Sequence, residues 1–170
     1  IVVREAAEGE KFRSLDDIDH TLNAGMLVIA DEKKPVALAG VMGGANSEIK
    51  DTTSVVVFES ANFMGSSVRI TSRALGMRTE SSGRFEKGLD SEMTRVAIER
   101  ACELAEMLGA GEVVDGIIDA RVSEKTEATV KFEPDRINHF LGTNIPEDRM
   151  ISILRGLLFR VEGGIIYVPS

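Results

Sequence analysis

A chain of 170 residues, 43% hydrophobic and 28% charged, has the length and balance of one globular domain, or of one domain and part of a second. No apolar run approaches the ~20 residues that span a bilayer, and the charged opening IVVREAAEGEKF lacks the apolar segment of an export signal. The net charge of −8 argues against a surface that grips nucleic acid over its whole extent, and the single Cys102 rules out an internal disulfide, so a reducing, cytoplasmic setting is expected.

Residues 1–58 read as strand-rich. VVR, MLVIAD (26–31), PVALAGVM (35–42) and SVVVFES (54–60) are short Val/Ile runs bounded by Gly, Pro, Asp and Asn. Asp31-Glu32-Lys33-Lys34-Pro35 suits a turn between antiparallel strands. GVMGGANSE (40–48) follows, with Gly43-Gly44 in a turn; such a pair fits a plain loop and equally exposes backbone N–H groups to a ligand that approaches closely. Glu59 ends the SVVVFES run, where a carboxylate either faces solvent or turns into a pocket rim as a specific hydrogen-bond acceptor.

A short helix is expected over 65–75, capped by Ser66 or Ser67 and stopped by Gly76 in the left-handed region. Beyond it lies a polar turn, Thr79-Glu80-Ser81-Ser82, among Arg78, Arg84 and Lys87. Such a cluster decorates a solvated loop or binds a polar ligand, and composition leaves both open. Between Arg69 and Arg100 seven basic residues stand against five acidic ones in an otherwise acidic chain, which hints at an anionic partner. A longer helix over roughly 91–109 places Met93, Val96, Ala97, Ala101, Leu104, Ala105 and Leu108 on one face and is expected to be core. Cys102 within it reads as a small buried hydrophobe.

GEVVDGIIDARV (111–122) is expected to hold a buried strand, and SEKTE (123–127) reads as a linker. ATVKF (128–132) opens a new unit, followed by a helix from Pro134 to Gly142. A second helix, with Asn144 and Glu147 at capping-box spacing, presents Met150, Ile151, Leu154, Leu157 and Leu158. A hairpin turning at Glu162-Gly163-Gly164 closes the chain. The fold class expected is α+β: a layered sheet-and-helix domain over 1–126, then the start of a small winged-helix-like module over 127–170. The start without methionine and the end at YVPS suggest a piece of a longer chain.

No metal signature appears: Cys102, His20 and His139 are scattered, His139 as a packing or capping residue and His20 without an evident partner. There is no Walker loop, no G-x-G-x-x-G and no G-x-S-x-G, so the residues alone define no reaction.

Four ordered motifs then carry a resemblance: GVMGGANSE (40–48), FESANF (58–63), SRALGMRTESSGRFEKGLD (72–90) and FEPDRINHFLG (132–142). Together they resemble the β-subunit family of bacterial-type phenylalanyl-tRNA synthetases, over essentially the whole chain. The resemblance implies that residues 1–126 are most of an editing domain. It further implies an α2β2 enzyme, with an α-subunit partner, that charges phenylalanine tRNA using ATP and Mg2+. The β-subunit editing domain would hydrolyse tyrosine mischarged onto that tRNA. A site built to hydrogen-bond a hydroxyl selects the analogue that carries it, whereas a phenylalanine pocket rejects that analogue poorly.

Carried residue by residue, the family's editing pocket falls on Gly43, Glu59, Thr79 and Ser81. Ser81 stands where the family often has alanine, a more polar wall. Arg73, Arg78, Arg84 and Lys87 are candidate contacts to the tRNA. The resemblance places a pocket histidine and proline upstream of residue 1, and the parent's acidic magnesium ligands beyond residue 170. It therefore implies no catalytic residue, metal or cofactor within 1–170; the water would be activated by the substrate itself. The alternative is a tRNA-contacting or structural scaffold piece with no activity of its own.

Overall fold

The computed structural model describes residues 1–122 and 127–169, so all but Glu127 of the expected linker lies outside the described residues. The elements in order are β1 (Val2–Glu5), β2 (Lys11–Arg13), β3 (Asp19–Thr21), β4 (Leu27–Ala30), β5 (Pro35–Leu38), β6 (Met42–Gly43), a 3-10 turn (Ala45–Ser47), α1 (Gly65–Ala74), α2 (Glu80–Phe85), α3 (Met93–Met107), β7 (Thr129–Lys131), α4 (Pro134–Leu141), α5 (Glu147–Gly156), β8 (Arg160–Glu162) and β9 (Ile165–Tyr167). The mixture is α+β, as expected. It divides into two compact units, Ile1–Val113 and Val114–Ser170.

In the first unit an antiparallel sheet runs β1-β4-β5-β6, and β2 and β3 form a separate hairpin. β4 is an inner strand whose residues Val28, Ile29 and Ala30 are all buried, which explains its unbroken apolar run. Leu22, Val28 and Leu38 centre a core that α1 joins through Val68. Between β4 and β5 the Asp31 carboxylate accepts the N–H groups of Lys33 (2.7 Å) and Lys34 (2.8 Å). Those bonds hold its carboxyl below the usual range and fix the expected turn.

PVALAGVM, read as one strand, is two: Val41 N–H bonds Leu38 O at 3.0 Å, and Gly40 at φ +68° reverses the chain between β5 and β6. α1 stops as expected. Gly76 sits at φ +66°, and the N–H groups of Gly76 and Met77 return to the carbonyls of Arg73 and Ser72, the double closure of a Schellman end. Its start differs, since Met64 occupies the cap position and neither Ser66 nor Ser67 caps it.

Two expected strands are absent among the described residues. Residues 54–60 form no strand, with Val55 79% and Val57 70% exposed. A strand needs a neighbour's N–H and C=O groups, and β6, an edge of the sheet, is only two residues long. The segment is tied instead by side chains: Ser60 Oγ donates to Thr94 O (2.7 Å) and Asn62 Nδ2 to Leu89 O (2.6 Å). Residues 111–122 likewise form no strand, and Val114, Ile118 and Val122 are exposed. α3 is helical as expected, but none of its residues is fully buried. Met93 and Leu104 are exposed, while Ile98 and Cys102 are half-buried, so α3 contributes no residue to the buried core it was expected to form.

The second unit is a three-stranded antiparallel sheet in the order β7-β9-β8, with Phe132, Met150 and Ile166 as its core. Gly142 ends α4 at φ +66°, and Gly163 and Gly164 take positive φ in the expected hairpin turn. The Asn144 cap does not form: Pro146 occupies that position. The loop is organised from α4, where the Asn138 side chain accepts Ile145 N–H at 2.8 Å and donates to Ile145 O at 2.9 Å. Of α5's expected face, Met150 is buried, Ile151 and Leu154 pack against the core, and Leu157 and Leu158 are exposed.

Candidate functional site

The site grows from the β5–β6 turn and the start of α2. Thr79 precedes α2 in extended backbone and closes a capping box: Ser82 N–H donates to Thr79 Oγ1 (3.0 Å) and Thr79 N–H to Ser82 Oγ (2.9 Å). The Thr79 hydroxyl also donates to Val41 O at 2.8 Å, and the Ser81 hydroxyl to Gly40 O at 2.9 Å. Two hydroxyls from one turn therefore hold two consecutive carbonyls of another, about forty residues earlier in the chain. Behind them the buried Ser72 donates to Met77 O at 2.5 Å and lies 3.4 Å from Ser82 Oγ, so every hydroxyl in this layer is partnered.

In front of this clamp opens a cleft of about 760 Å³ whose lining includes Gly43, Glu59, Thr79 and Ser81. That is within the size range of small-molecule sites, roughly 300–1,000 Å³. Its apolar floor includes Phe63 and Phe85, with ring centroids 5.4 Å apart. Glu59 remains accessible at the cleft, yet the surrounding protein strips enough water from it to push its carboxyl above the usual range. Glu59 meets both descriptions the sequence left open, being exposed to solvent and part of the cleft lining.

Gly43 offers less than a free backbone. Its carbonyl already accepts Leu15 N–H at 3.0 Å, and a Cβ there would meet Leu15 Cδ1 at 2.8 Å. Sequence reasoning missed Gly40, whose added Cβ would lie 3.1 Å from Val68 Cγ2, 3.2 Å from Phe85 Cγ and 3.3 Å from Phe63 Cδ2. The sequence signal for it was the glycine that opens GVMGG.

The candidate tRNA contacts divide. Arg73, Arg78 and Lys87 line a second groove of about 480 Å³ together with Arg69, which sequence reasoning had not selected. Arg84 does not line it; it lies 3.7 Å from Glu80 on the exposed side of α2.

His20, expected to lack a partner, has one: its Nε2 is 3.1 Å from Ser14 Oγ. The Ser14 hydroxyl also donates to the Asp16 carboxylate, which holds that carboxyl below its usual range. This is no catalytic triad. The carboxylate bonds the serine rather than the far side of the imidazole, and Ser14 is wholly buried. Among the described residues, no group of three or more His, Cys, Asp or Glu side chains is placed to hold a metal ion.

Residues 1–110 match the B3/4 domain, and the chain belongs to that family. Over 95% of its length it is 42% identical to the phenylalanine–tRNA ligase beta subunit of Clostridium tetani. Identity is 45% over 99% of the chain with the same subunit of Geobacter sulfurreducens, and 47% over 92% with that of Syntrophus aciditrophicus. The chain spans about one fifth of the length of these curated relatives, 20% of the first and 21% of the second.

Proposed function

We propose that this chain is part of a phenylalanine–tRNA ligase beta subunit and forms the wall of a proofreading pocket that reads the tyrosyl hydroxyl of mischarged tRNA. The observation that carries this reading is Glu59: a partly desolvated carboxylate lining a largely apolar cleft with Gly43, Thr79 and Ser81, where Glu80 and Asp90 are the other acidic residues of the lining. A phenolic O–H donating to Glu59 gains a charge-assisted hydrogen bond of about 1.5–3 kcal/mol, and phenylalanine leaves the acceptor unpaired. In the hydrolysis, water adds to the ester carbonyl carbon, the bond to the ribose oxygen breaks, and the proton passes to that leaving oxygen. The cleft residues hold the amino acid. In the assembled enzyme an α subunit would carry out aminoacylation with ATP and Mg2+ in the cytoplasm, and residues 127–170 would begin a winged-helix-like module.

A second reading is a scaffold piece that binds but does not hydrolyse. The commitment of the Thr79 and Ser81 hydroxyls to backbone carbonyls favours it for the isolated chain.

The test is binding of free tyrosine against phenylalanine, followed by NMR shifts at residues 40–43, 59 and 79–81. Tyrosine should bind more tightly, and its advantage should grow as pH rises through the raised Glu59 pKa, because only the anion gives the charge-assisted bond. Phenol ionisation near pH ~10 bounds that window from above. The stability linkage has the opposite sign: the folded chain holds the Glu59 proton more tightly than the unfolded one, so Glu59 lowers stability as pH rises through the same window. Equal binding of the two amino acids at every pH would remove the reading.

A further inference from the structure

We infer that the groove of Arg69, Arg73, Arg78 and Lys87 is a phosphate-binding subsite for the RNA strand that delivers its end to the cleft. The inference rests on the proofreading reading for the identity of the RNA, and on the groove's own chemistry for the site.

Arg69 and Arg73 are one turn apart on α1, Arg78 follows the α1 stop, and Lys87 follows α2. All four line one groove of about 480 Å³ whose only acidic lining residue is Glu86. Among the described residues, none of the four cations forms an ion pair, although other basic residues such as Arg4, Arg13, Arg84 and Arg160 each lie within 4.0 Å of a carboxylate. In a chain of net charge −8, leaving four neighbouring cations unneutralised matches a polyanion that supplies the missing charge. Arginine suits phosphate through its forked N–H donors. The groove is also coupled to the cleft by covalent structure. Arg78 precedes Thr79 and Glu86 follows Phe85, so one ten-residue segment lends its ends to the groove and residues between them to the cleft. The Schellman end at Gly76 and the Thr79 capping box fix that segment, so a phosphate held at Arg78 sets the register of what enters the cleft.

The experiment is fluorescence anisotropy of the 170-residue chain with a non-aminoacylated RNA hairpin bearing a single-stranded 3′ end, from low to high salt. Each lost phosphate contact lowers the slope of log K against log salt by roughly 0.7–0.9. The double variant Arg73→Gln/Arg78→Gln should therefore flatten the slope by about 1.4–1.8, Arg73→Lys/Arg78→Lys should restore most of it, and Arg84→Gln should leave it unchanged. An unchanged slope in the double Gln variant would overturn the subsite. So would an equal loss in Arg84→Gln, which would mean diffuse charge rather than a groove. Inorganic phosphate separates the sources: a groove that takes phosphate tightly while ignoring the hairpin would overturn an RNA subsite. Failure of the proofreading reading is distinguishable, because it would equalise tyrosine and phenylalanine binding while the salt slopes kept their order.

Discussion

Gly40→Ala should destabilise the first unit by about 2–5 kcal/mol. A left-handed backbone costs a non-glycine residue roughly 1–2 kcal/mol, and forcing a methyl into packed side chains adds roughly 1–3. Gly40 meets both conditions, with φ +68° and three side-chain atoms within 3.3 Å of the added carbon. Gly76 is the control, because its φ is +66° but its Cβ would meet nothing within 4 Å. Gly76→Ala should therefore show only the backbone cost, about 1–2 kcal/mol. Denaturant titration followed by NMR signals from residues 1–113 reads both. Equal losses in the two variants would mean that the Phe63–Phe85 floor yields freely, and that Gly40 is a turn residue and nothing more.

Thr79→Val keeps the shape of the side chain and removes its oxygen, so its effect isolates the hydroxyl. Ser82 N–H loses its cap acceptor, a cost of typically ~1 kcal/mol, and Val41 O loses a donor, another ~1 kcal/mol. The same titration should give about 2 kcal/mol from these two terms, and Thr79→Ser should recover most of it. A near-neutral Thr79→Val would show that the clamp between α2 and the β5–β6 turn does not hold the cleft wall.

What could be read from the sequence is what depends on neighbours in sequence. The α1 stop at Gly76 and the Asp31 turn were legible because a left-handed cap and a carboxylate facing two N–H groups are local chemistry. α4 between Pro134 and Gly142 was legible for the same reason. The strand expected at 54–60 was not there, because a run of apolar residues says nothing of whether a partner edge exists; Ser60 and Asn62 hold that segment through bonds to Thr94 and Leu89, about thirty residues away. α3 shows the same limit: its spacing set the helix but not how much protein lies against it. The family resemblance brought Gly43, Glu59, Thr79 and Ser81 to notice, and all four line one cleft. It did not reveal that the Thr79 and Ser81 hydroxyls are spent on the carbonyls of Val41 and Gly40. Nor could it separate Arg84, which sits beside Glu80, from the three basic residues that share a groove with Arg69.

The most direct measurement of the central claim is deacylation of tyrosyl-tRNA and phenylalanyl-tRNA by the assembled synthetase that contains this chain, wild type against Glu59→Ala. The expected result is a loss of about 10–150-fold in kcat/KM for the tyrosyl ester, the equivalent of a 1.5–3 kcal/mol hydrogen bond, with the slow hydrolysis of the phenylalanyl ester little changed. Undiminished tyrosyl-tRNA hydrolysis in Glu59→Ala would contradict the role of Glu59 as the reader of the phenolic hydroxyl.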